Sequence, residues 1–238
     1  MLEVVPVPDR LYVVGDIHGR ADLLEQMIAK ITRDLDPALA KGCLTVTLGD
    51  YVDRGPESRM VVDRLADNPF PTAFIALKGN HEVLLERFLS DPSTVQLWRN
   101  LGGLETLHSY GVDVSRVMRG TGYEEAAAAL RDRLPRKHLE FLQRLGTSLS
   151  AGGYFLCHAG VRPGIPLAQQ SEDDLLWVRD DFLDSRDDFG KVVVHGHTPV
   201  EAPDIRINRI NIDTGAFMTG RLTCAVLDGD RLRVLTAS

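Results

Sequence analysis

The sequence has few cysteines, and it lacks long apolar runs and runs of basic residues. Its three cysteines, Cys43, Cys157 and Cys224, each lie in an apolar, strand-like run. An odd number of cysteines without regular spacing is no disulfide framework, so buried free thiols in a reducing compartment are expected. Cys157 is a poor candidate nucleophile, because its neighbour His158 would point to the opposite face of a strand.

The missing apolar and basic runs exclude several classes of protein. No apolar stretch is long enough to cross a bilayer. The segment from Met1 to Asp9 has no basic part followed by an apolar part, so a secretory signal is not expected. With a net charge of −7 and no Lys/Arg run, the chain is a poor candidate for binding nucleic acid or a membrane. We expect a cytoplasmic protein, and its oligomeric state is not readable from the sequence.

A pattern of strand, polar loop and helix occurs three times near the start of the chain. Apolar runs at Leu11–Val14, Cys43–Leu48 and Thr72–Leu77 read as strands, and each precedes a polar loop and an amphipathic helix. This order predicts an α/β (α+β) fold with a largely parallel sheet and the loops at one edge. Ligand sites of open α/β sheets form at that edge.

The character of the sequence changes after the third helix. Residues from Asp91 to Thr147 contain no convincing strand and read as helices, which predicts a helical cap (residues 91–147) over one side of the site. Strands return at Tyr154–Cys157, at Lys191–Val194 and at Ile205–Ile212, and a hairpin is predicted around Asp228–Asp230. We expect these late strands to form a second sheet packed on the first.

The loop from Gly49 to Arg54 follows a buried strand and carries two carboxylates and an arginine. Asp50 lies where the strand ends, and Asp53 and Arg54 lie in the loop. Such a loop alone is more often a turn that uses Asp and Gly for their shape. Four further polar strand ends favour a functional site instead.

The polar strand ends share carboxylate, imidazole and amide side chains, which are ligands for Mn²⁺, iron or Zn²⁺. The residues are Asp16, His18, Asp50, Asn80, His81, His158, His195 and His197. Asp50 is the natural bridge between two ions. Two divalent ions about 3.5–4 Å apart suit the hydrolysis of phosphate esters.

The motifs at these strand ends resemble those of the phosphoprotein phosphatase family of calcineurin-like metallophosphoesterases. They are similar above all to the short bacterial and phage-type serine/threonine phosphatases. In order, the matching segments are Gly15–Gly19, Gly49–Gly55, Gly79–Glu82, His158–Gly160 and Gly196–Pro199. One such motif is a weak signal, whereas all of them in this order are highly specific. The resemblance implies a single domain over residues 1–238, with two packed mixed β-sheets, flanking helices and the helical cap.

The resemblance also implies two divalent metal ions, with Mn²⁺ expected and iron or Zn²⁺ as alternatives. The implied ligands are Asp16, His18 and Asp50 for the first ion, and Asp50, Asn80, His158 and His197 for the second. His81 and Asp53 would be the catalytic pair, in which His81 protonates the leaving alkoxide. Arg54 and Arg179 would hold the substrate phosphate while a hydroxide that bridges the metals attacks phosphorus, without a covalent phosphoenzyme.

The implied function is hydrolysis of phosphomonoesters, with phosphoserine and phosphothreonine in proteins expected and small phosphoesters as alternative substrates. A symmetrical hydrolase of dinucleoside polyphosphates such as diadenosine tetraphosphate is the main rival. The segment Ile212–Gly215 resembles that group, although Asp53, Arg54 and Glu82 argue against it. A non-catalytic binding protein on the same scaffold predicts a broken site, whereas every expected ligand is present.

Several polar residues that are neither implied metal ligands nor part of the implied catalytic pair have open roles. Lys78 stands where the family often has arginine, which puts a third phosphate contact in doubt. His195 is expected to support a metal ligand by a hydrogen bond. Arg162 could contact substrate or belong to a turn. His108 and His138, in the helical cap, are expected at the surface.

Overall fold

The computed structural model describes residues 3–238, and its strands form two sheets that pack face to face. Met1 and Leu2 lie outside the described residues. They begin the segment Met1–Asp9, in which no secretory signal is expected. The strands within residues 3–238 are β1 (Glu3–Val5), β2 (Arg10–Val14), β3 (Cys43–Thr47), β4 (Ala73–Ala76), β5 (Ser148–Ala151), β6 (Tyr154–Cys157), β7 (Val192–His195), β8 (Asp204–Ile205), β9 (Arg209–Asn211), β10 (Leu222–Asp228) and β11 (Arg231–Ala237).

The helices flank the sheets, and short 3-10 turns join some of them. They are α1 (Ala21–Asp34), α2 (Ser58–Ala66), α3 (Asn80–Ser90), α4 (Val95–Trp98), α5 (Gly103–Ser109), α6 (Ser115–Met118), α7 (Tyr123–Arg133), α8 (Arg136–Gln143), α9 (Glu172–Trp177), α10 (Asp180–Leu183) and α11 (Ala216–Thr219). In the part of the chain that the structure describes, no helix has the length and apolar character needed to cross a bilayer.

The first sheet has the strand order β11-β10-β2-β3-β4 within the described residues. Its β2, β3 and β4 are parallel, as predicted. The hairpin predicted around Asp228–Asp230 joins β10 to β11. The prediction that this hairpin belongs to the second sheet was wrong, because β10 pairs with β2 of the first sheet. The two strands are antiparallel, with Val226 opposite Tyr12.

The second sheet has the order β1-β5-β6-β7-β9-β8 over residues 3–238. It contains β1 and β5, which the sequence did not reveal. The single strand predicted over Ile205–Ile212 was wrong, because two short antiparallel strands, β8 and β9, occupy this stretch. The turn between them leaves Ile207 94% exposed. Alternating polar and apolar residues therefore indicated the extended backbone but not the reversal.

Alternation along the strands places two cores on opposite faces of the first sheet. Leu11 and Val13 of β2 pack between the sheets, together with Leu156 and Val194 of the second sheet. Tyr12 and the other strand residues whose side chains point to the opposite face pack against the helices. The packed sheets hold their strand ends at one edge of the molecule.

The helical cap contains helices and no strand between residues 91 and 147, as predicted. His108 is exposed, as expected. The expectation for His138 was wrong, because its ring is completely buried. Tyr110 Oη lies 2.9 Å from its Nδ1, and Asp63 Oδ1 lies 3.0 Å from its Nε2. Partners at both ring nitrogens make the burial of this polar side chain favourable.

Candidate active site

The predicted metal ligands converge at the carboxyl ends of the strands. Each comes from the loop after a strand or, for Asn80, from the first turn of a helix, and all are buried. These residues are Asp16 after β2, His18 in the same loop, Asp50 after β3, Asn80 at the start of α3, His158 after β6 and His197 after β7. The structure therefore brings together the complete set that the sequence indicated.

Asp50 lies between two groups of candidate ligands. Its Oδ2 is 3.4 Å from His18 Nε2, and its Oδ1 is 3.4 Å from His158 Nε2. His18, Asp50 and His81 offer atoms that all lie within 4.8 Å of one another, and so do Asp50, His158 and His197. One carboxylate thus faces both groups with different oxygens, which suits a shared ligand.

Backbone carbonyls orient two of the imidazoles. His18 Nδ1 lies 2.8 Å from the Val52 carbonyl oxygen, and His158 Nδ1 lies 3.0 Å from that of Leu48. A carbonyl oxygen only accepts, so each Nδ1 carries the proton and each Nε2 turns a lone pair into the site. Burial lowers the pKa of His18 to about 3 and also lowers the pKa of His158, which keeps both rings neutral.

Electron-rich atoms also meet around Asn80. Its amide oxygen is 2.8 Å from His158 Nε2 and 3.0 Å from His197 Nδ1, and the two imidazole nitrogens are 3.1 Å apart. The ring proton of His158 is on Nδ1 and is donated to Leu48, so His158 Nε2 carries none. At most one hydrogen, on His197 Nδ1, is therefore available for the contacts among these three atoms. A bound cation would satisfy all three lone pairs.

Asp16 strengthens the case for bound cations. Its Oδ2 accepts a hydrogen bond from the His197 backbone N–H at 3.0 Å, whereas its buried Oδ1 has no partner within residues 3–238. Burial and the nearby carboxylates of Asp213 and Asp50 raise the pKa of Asp16 well above its usual value. A β-carbon at Gly196 would lie 2.0 Å from that free oxygen, so glycine keeps the space open. The residues present therefore fit divalent cations.

His81 and Asp53 form the expected pair. His81 Nδ1 donates to Asp53 Oδ2 at 2.7 Å. Burial alone would lower the pKa of His81, but the carboxylates of Asp50 and Asp53 outweigh it and raise that pKa. The raised pKa favours a ring that can carry and donate a proton near neutral pH.

The helical cap supplies two further contacts to Asp53 that sequence reasoning missed. Trp98 Nε1 donates to Asp53 Oδ2 at 2.6 Å, and Thr106 Oγ1 donates to Asp53 Oδ1 at 2.6 Å. All three side chains are completely buried. Because Trp98 and Thr106 lie in helices without a recognisable motif, no local sequence signal marks them.

Arg54 lies against the predicted catalytic pair, His81 and Asp53. Its Nη2 is 3.3 Å from His81 Nε2, and its guanidinium carbon lies 4.6 Å from the centre of the Phe217 ring. This packing over an aromatic face restricts the guanidinium to one side of the site. Arg179, which is exposed, donates from Nη1 to Thr198 Oγ1 at 3.4 Å. Both arginines can turn N–H groups towards an anion at the metal ligands.

Glu82 organises the loop that carries Asp50. Its buried carboxylate accepts hydrogen bonds from the backbone N–H groups of Asp50, Tyr51 and Gly79 at 2.8–2.9 Å. Burial and the Asp50 charge raise the pKa of Glu82 to about 7. Glutamate at this position therefore fixes the backbone at the centre of the site.

Several residues with open roles are occupied elsewhere. Lys78 makes an ion pair with Glu86 at 2.8 Å. Arg162 pairs with Asp174 and Asp181, so its side chain belongs to a surface network. His195 Nδ1 lies beside the Gly196 carbonyl oxygen and its ring packs edge-on against Phe182, so no ligand receives the expected hydrogen bond from it within residues 3–238.

The backbone of the site lies largely in the left-handed region that favours glycine. Positive φ angles occur at His18 (45°), Asp50 (51°), Asp53 (72°), Arg54 (67°) and His197 (67°). Such angles are uncommon for residues with a β-carbon and are held by the surrounding structure. The loops present these side chains because they turn sharply at the strand ends.

Comparisons with known proteins give one family and two kinds of relative. The family described as calcineurin-like phosphoesterase matches residues 9–224. The asymmetrical bis(5'-nucleosyl)-tetraphosphatase PrpE of Anoxybacillus flavithermus is 27% identical over 230 residues, which cover 89% of this chain and 87% of the relative. Serine/threonine-protein phosphatase 2 of Escherichia coli K12 is 29% identical over 223 residues, or 90% of each chain. A crystal structure described as a candidate diadenosine tetraphosphatase has a TM-score of 0.65 and 21% identity, and the match covers 99% of this chain and 98% of that one.

Proposed function

The chain belongs to the calcineurin-like phosphoesterase family, and we propose that it hydrolyses phosphomonoesters, with phosphoserine and phosphothreonine in proteins as the preferred substrates. The observation that carries the proposal is the pair of His81 and Asp53, with Arg54 against His81 and the shared carboxylate Asp50 beside them. This arrangement provides a proton donor, a phosphate-binding cation and a metal ligand at one point. We treat residues 1–238 as one domain that includes the helical cap.

We assign the ligands to two divalent cations. Asp16, His18 and Asp50 would hold one ion, and Asp50, Asn80, His158 and His197 the other. When bound, such ions stabilise charge on phosphoryl oxygens and lower the pKa of coordinated water. We propose Mn²⁺ as the working ion, and the oxygen and nitrogen ligands also suit iron or Zn²⁺.

Arg54 and Arg179 would bind the phosphoryl group. A guanidinium matches a phosphate with parallel N–H donors and retains its charge at all physiological pH values. The Phe217 ring restricts Arg54 before substrate arrives, so less conformational entropy is lost on binding. Arg179 is exposed, and its side chain hydrogen-bonds only to Thr198 within residues 3–238, which leaves it free to adjust to the substrate.

His81 would deliver a proton to the leaving oxygen from Nε2. Its Nδ1–H is committed to Asp53, which fixes the ring plane and stabilises the protonated ring. When the ring is protonated, His81 Nε2 and Arg54 Nη2 are both donors and 3.3 Å apart. A substrate oxygen that lies between them accepts from both, which aligns the leaving group with its proton source.

Hydrolysis of dinucleoside tetraphosphates is the second candidate. The relative PrpE is named for that activity and aligns with 89% of this chain. The segment Ile212–Gly215, which resembles that group, places Asp213 in the site, where burial and the Asp50 charge raise the pKa of Asp213 to about 6. A carboxylic acid at this point can donate to a phosphate oxygen when it is protonated.

The test compares a phosphothreonine peptide with diadenosine tetraphosphate at equal concentration and with added Mn²⁺. We expect faster phosphate release from the peptide, and release at least about a hundredfold slower from Asp50→Asn prepared in the same way. Faster cleavage of the nucleotide would show that dinucleoside tetraphosphates, and not phosphoproteins, are the substrate class. The products would then show the mode of cleavage, because symmetrical cleavage gives ADP alone and asymmetrical cleavage gives ATP with AMP. If neither compound reacted with protein of full metal content, the catalytic proposal would be wrong.

A further inference from the structure

A pocket of about 520 Å³ with charged side chains in its walls lies beside the active site, between the end of α10 and the hairpin of β8 and β9. Its walls include Asp184 and Arg186 on one side and Asp204, Arg206 and Arg209 on the other. The volume is sufficient for a side chain with an anionic group. The metal ligands and the catalytic pair do not contribute to these walls.

Thr198 connects this pocket with the active site. It lines the pocket, accepts a hydrogen bond from Arg179 at 3.4 Å and follows the metal-ligand candidate His197 in the chain. A substrate whose phosphoryl group contacts Arg179 therefore has the pocket on the other side of Thr198. The pocket can receive a second part of the same molecule.

The charges of the pocket favour an anion. Three arginines face two aspartates, Asp184 and Asp204. Arg206 Nε and Arg209 Nη2 share the Asp204 carboxylate at 2.8 and 2.9 Å, so one negative charge is divided between two cations. Arg186 is exposed and makes no ion pair with residues 3–238. A net positive charge is left for a ligand.

Arg209 supplies the second observation. Its side chain is 5% exposed, and its buried Nη1 has no hydrogen-bond partner within residues 3–238. Its Nη2 is engaged by Asp204 and by the Leu183 carbonyl oxygen at 3.1 Å. Buried donors of a charged group almost always have a partner. Arg209 also lines the pocket, so an oxyanion bound there would lie beside this incompletely paired guanidinium.

Other polar side chains of the pocket are already committed. Asn208 donates to the backbone oxygens of Ser185 and Asp187, and Asn211 donates to that of Thr198. These bonds fix the pocket walls and leave the arginines as the available donors. The pocket is therefore shaped before ligand binds.

We infer that this pocket binds a second oxyanion, a carboxylate or a phosphate, on the phosphopeptide whose phosphoryl group is hydrolysed. The inference rests on the proposed phosphatase function and deepens it, because it makes the enzyme selective for phosphothreonine with an acidic residue nearby. A guanidinium on the pocket wall, such as that of the exposed Arg206, binds either group, since both present two oxygens to its N–H donors.

The test measures kcat/KM for phosphothreonine peptides that carry Glu, the non-hydrolysable phosphonate analogue of phosphoserine or Gln at successive positions on either side. We expect one position at which Glu and the phosphonate raise kcat/KM about tenfold over Gln, mainly through KM, as expected for one charge-assisted contact. Arg206→Ala and Arg209→Lys should remove most of this preference. Arg231→Ala, an exposed arginine outside the pocket, makes the same change of charge as Arg206→Ala and should retain the preference.

p-Nitrophenyl phosphate has no second anion and monitors the catalytic site. Its turnover should change less than twofold in Arg206→Ala, which also reports intact folding. Equal rates for the Glu, phosphonate and Gln peptides at every position would overturn the pocket while leaving phosphatase activity in place. Equal losses of kcat/KM for p-nitrophenyl phosphate and for the peptide in Arg206→Ala would also overturn it, because the substitution would then be impairing the folded structure as a whole.

Discussion

Trp98 Nε1 lies 2.6 Å from Asp53 Oδ2, so a residue of the helical cap holds the carboxylate that pairs with His81. Thr106, from the same segment, donates to the other oxygen. The buried Asp53 carboxylate thus accepts hydrogen bonds from His81, Trp98 and Thr106. The helical cap therefore contacts the pair of His81 and Asp53 directly, and we propose that it supports their catalytic role.

Trp98→Phe should slow hydrolysis while leaving metal content unchanged. Phenylalanine keeps an aromatic ring against Phe88 but removes the N–H donor. Loss of one hydrogen bond to a charged group is worth about 1.5–3 kcal/mol, so we expect kcat to fall roughly tenfold or more. Steady-state kinetics and metal analysis check this outcome.

Thr106→Val is the matched variant, because it removes the donor to the other Asp53 oxygen at nearly constant volume. Its kcat should fall to a similar extent. Unchanged kcat in both variants would mean that the cap contacts are structural only.

Asp50→Asn should weaken binding of both ions, because this carboxylate faces both groups of ligands. The substitution removes the shared negative charge and leaves the shape almost unchanged. We expect metal content to fall by more than half and phosphate release to fall at least about a hundredfold. Normal metal content with full activity would contradict the assignment of Asp50 as the bridge.

His81→Asn should retain the metal ions and lose the proton donor. The loss in kcat/KM should reach about a hundredfold or more for a phosphothreonine peptide, whose alkoxide is a poor leaving group. p-Nitrophenyl phosphate needs little protonation on leaving, so its loss should be much smaller. Equal losses with the two substrates would assign His81 a different role.

His138 should make the protein less stable at mildly acidic pH. Burial lowers the pKa of His138 below its usual value, despite the Asp63 carboxylate, while Tyr110 and Lys137 lie beside the same site. Below about pH 6.5 the unfolded chain therefore binds a proton that the folded chain does not, and stability falls by up to about 1.4 kcal/mol per pH unit. Urea unfolding of the wild type between about pH 7.5 and about pH 5.5 measures the slope.

His138→Gln provides the comparison for that slope. Glutamine can still contact Tyr110 and Asp63 but does not titrate. The difference in stability between the two proteins should shrink as the pH falls, because only the wild type loses the contribution of a neutral buried histidine. If the difference in stability between the two proteins did not change with pH, His138 would have the same pKa in the folded and unfolded states, and the prediction would be wrong.

The sequence was sufficient for the centre of the site because its signals are local. Asp16, His18 and Asp50 follow apolar strands within a few residues, and parallel strands bring their carboxyl ends together. Asn80 and His81 follow the same rule at the start of α3. A pattern that extends over a few residues was therefore enough to predict which side chains meet.

Features that depend on distant contacts were not predictable in this way. Trp98 reaches Asp53 across 45 positions of the chain, and nothing near it in the sequence marks the contact. The burial of His138 depends on Asp63, which is 75 positions away. The pairing of β10 with β2 likewise joins the two ends of the chain. Such choices are set by tertiary packing, which overrides local pattern.

The left-handed backbone at the site has a consequence for selection experiments. His18, Asp50, Asp53, Arg54 and His197 each hold a conformation that costs about 1 kcal/mol for a residue with a β-carbon and almost nothing for glycine. A library selected for thermal resistance alone would therefore tend to enrich glycine at these positions and inactivate the enzyme. Positions at which selection for stability favours glycine and selection for activity favours the present residue would identify the site residues, even if the substrate is not known.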